Sequence, residues 1–144
     1  MSDTQSASSH AKMVPMYHYL TFTCVLVPTV YFAVQAVRDF SVGAVMMVVF
    51  GVGVILSTLF ARIFPLGVQD RVIRLEERIR MERVLPAEMH GRAGEISTSH
   101  LIGLRFAPDD ELADLVQRIL DGDLSDRKSV KQAIRSWRAD HQRI

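Results

Sequence analysis

Five histidines, one cysteine, an acidic cluster and a basic helix face are the residues whose types could do chemistry. The histidines are His10, His18, His90, His100 and His141, and none stands at metal-ligand spacing from a cysteine or a carboxylate. His18, between Tyr17 and Tyr19, is the one that a haem or a pigment metal could use. No second histidine lies in the apolar runs to complete its ligand set, so the three residues read as interfacial side chains. Asp109, Asp110, Glu111 and Asp114 resemble an ion site but stand where the first turn of a helix favours negative charge. Lys128, Lys131, Arg135 and Arg138 make a basic face that a phosphate backbone could accept, yet the acidic helix just before it would repel that backbone. There is no phosphate-binding glycine loop, dinucleotide fingerprint or serine nucleophile elbow. The expectation is a chain that is not an enzyme, with no catalytic residues, no cofactor and no metal.

The composition agrees. The 144 residues are 49% hydrophobic and 23% charged, with a formal charge of +1. A dedicated nucleic-acid binder would carry a basic excess, and one cysteine cannot build a disulfide framework.

The apolar residues are concentrated in two stretches. Leu20–Val37 and Phe40–Ala61 contain no charged side chain, and at about 1.5 Å per helical residue each reaches or approaches the ~30 Å of a bilayer core. They predict transmembrane helices over 15–37 and 42–64. A soluble core helix or a cleaved signal peptide would have to explain both runs, and the polar start MSDTQSASSHAK lacks a signal peptide's basic region. The short link Arg38–Ser41 predicts an antiparallel hairpin. Lys12 before it and Arg62, Arg71, Arg74, Arg78 and Arg80 after it predict cytoplasmic termini. Pro28 should kink the first helix. In the second, Gly53, Ser57 and Ala61 recur every four residues, a small-residue stripe that lets another backbone approach closely.

Beyond the runs, Pro65-Leu66-Gly67 predicts a break, and 68–85 a charged helix with Val68, Val72, Leu75, Ile79 and Val84 in a narrow stripe. Glu76–Arg80 and Arg78–Glu82 are spaced to pair across a turn. The stripe suits a partner helix as a short coiled coil, while Arg71, Arg74 and Arg78 suit anionic headgroups. Short helices follow, starting near Pro86, capped by Ser97, opened by Pro108 and capped by Ser125, the last burying Val130, Ala133, Ile134 and Trp137. Leu112, Leu115, Val116, Ile119 and Leu120 carry the amphipathic spacing, and Asp121-Gly122 ends that helix. Leu101, Leu104 and Phe106 complete the expected core. The fold class is all-α: a polar N-terminal tail (1–14), a transmembrane helical hairpin (15–64), a charged amphipathic juxtamembrane helix (65–85) and a small cytoplasmic helical domain (86–144).

Several segments, PMYHY (15–19), Ala61-Arg62, QDRVIRLEER (69–78), LRF (104–106), Glu111-Leu112, KQAI (131–134) and WRAD (137–140), resemble an uncharacterised bacterial family of two-helix membrane proteins, a domain of unknown function. The resemblance covers nearly the whole chain. It implies an inner (cytoplasmic) membrane protein and supplies no activity. Together the readings suggest an accessory, scaffolding or assembly subunit of a larger membrane complex. Its partners would be membrane lipids and either other membrane subunits or further copies of itself. The helix-packing residues would be Gly53, Ser57 and Ala61, and the contact residues Arg71, Arg74, Arg78, Lys131, Arg135 and Trp137. The alternative is a membrane-anchored module that binds anionic lipid or nucleic acid through its basic helix faces.

Overall fold

The computed structural model describes residues 14–140. The expected tails, including His10, Lys12 and His141, lie outside the described residues where they fall before 14 or after 140. The described residues are all-helical, with no strand. A π-helical turn, Met16–Thr21, runs into α1 (Phe22–Arg38). Then come α2 (Val42–Val84), α3 (Ala87–His90), a 3₁₀ turn (Ala93–Glu95), α4 (Thr98–Leu104), α5 (Asp109–Leu120) and α6 (Arg127–Ala133). Two helical stretches, Met16–Arg38 and the apolar part of α2, are long and apolar enough to cross a membrane, and neither apolar window is buried. The chain divides into two compact units at Pro65/Leu66.

In the first unit Ser41 caps α2, its Oγ accepting from the Ala44 N–H at 3.1 Å. The helices α1 and α2 meet where both are small. Gly51 is buried against Thr29, and a Cβ at position 51 would overlap the Thr29 hydroxyl and lie 3.0 Å from its Cβ. Thr29 directs its hydroxyl back to the Val25 carbonyl at 2.7 Å, so the close approach leaves no unpaired donor. Nearer the N-terminus, Tyr17 Oη donates to the Thr58 carbonyl at 2.5 Å.

One expected boundary is absent. α2 continues through Pro65 and Gly67 to Val84. Proline removes one helical hydrogen bond, but its fixed φ is itself helical, and the turns on either side keep their own bonds.

The second unit is built on the far half of α2. Met81 and Leu85 join Ile96, Leu101, Leu104, Ala107, Leu112, Leu115, Val116, Ile119, Leu124 and Val130 in one core. The apolar stripe read as a seat for a partner helix is not the side of α2 that packs on this core. Val68, Val72, Leu75 and Ile79 are exposed, and Ile73, Glu77 and Met81 take the buried side. α4 and α6 touch at Gly103, where a Cβ would come within 2.9 Å of Val130 Cγ1 and 3.3 Å of the Arg127 carbonyl. Ser97 caps α4 by accepting from the His100 N–H. α5 ends at Gly122, whose φ of 87° is the left-handed value that glycine tolerates. There Gly122 N–H reaches the Ile119 carbonyl and Asp123 N–H the Arg118 carbonyl, closing the helix end. α6 is capped by Asp126, not Ser125. Asp126 accepts from the Ser129 N–H at 2.7 Å while Ser129 Oγ accepts from the Asp126 N–H, a reciprocal box that only this register completes. α6 also stops at Ala133, so Ile134 and Trp137 lie on a non-helical tail.

Candidate functional site

That tail is fixed by side chains from three places. The Glu111 carboxylate, in the first turn of α5, accepts from the Arg135 and Ser136 backbone N–H groups at 2.9 and 2.8 Å. The Arg138 N–H donates to the Phe106 carbonyl at 2.8 Å. Trp137 stacks on Phe106 with ring centroids 4.6 Å apart, and the Arg105 guanidinium and Lys131 ammonium lie 4.5 and 4.9 Å from the centre of the same ring. Arg105 in turn reaches Asp140 at 3.5 Å.

Tail and α2 line an open cleft of about 960 Å³, whose charged walls include Glu76, Glu77, Arg80, Arg83 and Arg138. Arg80 organises its floor. Its Nε and Nη2 lie 2.7 and 2.6 Å from Asp109 Oδ1, Nη1 lies 3.0 Å from Glu77 Oε2, and Nη2 donates to the Ala107 carbonyl at 2.7 Å. The sequence spacing suggested Glu76 as its partner. Glu77 takes that place because it is on the buried side of α2 and Glu76 is on the exposed side. Among the described contacts Arg78 reaches the Gly94 carbonyl at 3.5 Å, not Glu82.

Burial pushes the Glu77 carboxyl above its ordinary 4.5, against the opposing pull of the Arg80 charge and hydrogen bond and of Arg138. The folded state therefore keeps a proton that the unfolded chain has lost at 4.5 and just above. This contribution to stability is full below 4.5 and falls as pH rises toward the folded value. The gap in unfolding midpoint between Glu77→Gln and the wild type should then shift in the variant's favour as pH rises through this window. A gap that does not change with pH would contradict the assignment.

The expected contact residues separate into two groups. Lys131 and Trp137 come together on Phe106, and Arg135 lies beside them on the tail, its guanidinium 3.8 Å from Asp114. Arg71 and Arg74 are exposed on α2, and Arg78 is half-buried there. Tyr17 and His18 form an edge-on ring pair, centroids 5.2 Å apart, and His18 Nδ1 lies 2.9 Å from the Val14 carbonyl, while Tyr19 is exposed. Gly53, Ser57 and Ala61 share an exposed face of α2, and a Cβ at Gly53 would meet nothing within 4 Å. The small residue at the α1 contact is Gly51, which the four-residue spacing did not single out. The sequence reasoning missed Glu77 as the buried partner and assigned Arg80 and Glu111 other roles, a pair with Glu76 and first-turn helix charge. Their one signal is an acid or base at a register position that otherwise belongs to the core.

Among the described residues, no group of three or more His, Cys, Asp or Glu side chains is placed to hold a metal ion. No curated protein and no solved structure matches the chain significantly. One family model does, over residues 1–144, and the chain belongs to the family it defines, the Family of unknown function (DUF6526).

Proposed function

We propose that this chain is a non-enzymatic docking subunit of the bacterial inner membrane. In this reading α1 and the apolar part of α2 form a transmembrane hairpin with both termini cytoplasmic. The helical unit after Leu66 is its cytoplasmic head, and the whole serves as an accessory or assembly component of a larger membrane complex. The observation that carries the reading is the division of labour on α2. Gly51 serves the contact with Thr29, and Gly53, Ser57 and Ala61 remain open on another face. Lipid tails do not drive apolar helices together, so an open small-residue face in a bilayer gains most from a closely approaching helix. The head supports the reading through its ordered surface: the tail clamp and the Arg80 network fix side chains that a partner could engage without ordering them afresh.

Two substitutions separate the faces. Ser57→Leu fills the open face and should release partners from the membrane-extracted particle while leaving α1 against α2. Gly51→Leu should separate α1 from α2. Partner retention in the Ser57→Leu particle would overturn the docking role of that face. For the sidedness, a cysteine at Ser125 in a Cys24→Ser background should react with an impermeant maleimide only after the membrane is opened. A cysteine at Ser41 should react in intact cells, and the reverse pattern would invert the topology.

A further inference from the structure

The stripe that the head does not bury has an order of its own. Val68, Val72, Leu75 and Ile79 recur at i, i+4, i+7 and i+11, the seam of a coiled coil. All four are exposed, Val68 by 62% and Leu75 by 60%. Ile73, Met81 and Leu85 meanwhile hold the other side of α2 in the core, so this segment is already helical before anything covers the stripe. Val72 and Ile79 take one core layer and Val68 and Leu75 the other. β-Branched residues in the first layer with leucine in the second favour two parallel strands, and Val72, Leu75 and Ile79 follow that pattern while Val68 departs from it.

The flanking charges select the partner. In a parallel pair of identical helices, Arg71 before one Val72 stands opposite Glu76 after the partner's Leu75, and symmetry makes the contact twice. In an antiparallel pair the Arg71/Arg78 edge would meet itself. The next parallel contact, Arg78 against Arg83, is like-charged and limits the seam to Val68–Ile79. We propose that a second copy of this chain covers the stripe, its α2 parallel to the first, with Arg71 of each copy paired to Glu76 of the other. The inference rests on the membrane reading above, because two copies inserted with the same topology present α2 in parallel.

The test uses the full chain in its own membranes, in a Cys24→Ser background. Leu75→Cys should give a disulfide-linked species of two copies on mild oxidation, since facing positions of this layer bring Cβ atoms within bridging range. Arg74→Cys, one step off the seam, should not. Arg71→Glu should lower the Leu75→Cys cross-link by about two- to fivefold, and Arg71→Glu with Glu76→Arg should restore it. Chains that stay single at Leu75→Cys, or that link there to a different protein, overturn the inference. A particle that still holds other subunits in that case leaves the docking reading standing.

Discussion

Arg80→Met should destabilise the C-terminal unit by about 3–5 kcal/mol, the usual cost of removing one member of a buried ion pair. Arg80 is 11% exposed and holds Glu77, which is itself buried, along with the Ala107 carbonyl. Without it, Glu77 keeps only the weaker pull of Arg138 and loses its ion-pair partner, so it must either stay charged in a buried site or take up a proton. Asp109 adds little to the total, because its carboxylate is largely in solvent. Trp137 is the only tryptophan, so its fluorescence in a denaturant titration of the full chain reports this unit directly. The double variant Arg80→Met with Glu77→Leu should recover most of the loss, because replacing both charges by apolar groups removes the orphan. A single variant that costs under about 1 kcal/mol would mean that the network behaves as a surface pair.

Phe106→Ala should cost about as much, roughly 3–5 kcal/mol for a buried aromatic. Phe106 is almost wholly buried and supplies the surface on which Trp137, Arg105 and Lys131 rest. Removing the ring leaves a cavity under α4 and takes away the seat of the tail. Phe106→Leu keeps most of the burial and loses the stacking and the two cation contacts, so it should cost only about 1–2 kcal/mol. Trp137 is itself perturbed in both variants, and hydrogen exchange of the α5 amides is the cleaner readout. Protection of Leu115 and Val116 should fall far more in Phe106→Ala than in Phe106→Leu. Equal loss in the two would place the energy in the ring contacts alone.

The parts of this fold that were legible in the sequence are those set by local chemistry. Two charge-free runs announce α1 and the apolar part of α2, and the spacing of Leu112, Leu115, Val116 and Ile119 announces α5, with Asp121-Gly122 as its stop. The illegible parts were decided by contacts between elements. Gly51 and Gly53 differ by about 200° around the helix, and only the position of Thr29 decides which of them is buried. The stripe from Val68 to Ile79 was legible as an apolar seam, but the face beside it that the core takes, with Ile73, Glu77 and Met81, was not, because one acid interrupts that pattern. Ser125 and Asp126 are both good caps, and Ser129 chooses between them. The tail after Ala133 keeps apolar residues at helical spacing, but the Glu111 carboxylate holds its backbone N–H groups in another conformation. Pro65 marks the division between the two units but not an end of α2.

The most direct test of the docking role is the native mass and composition of the tagged chain, extracted gently from its own membranes. The account predicts a particle well above the mass of two 16.2 kDa chains, with other membrane proteins present in fixed ratio to it. A particle containing this chain alone, as one copy or two, would contradict it.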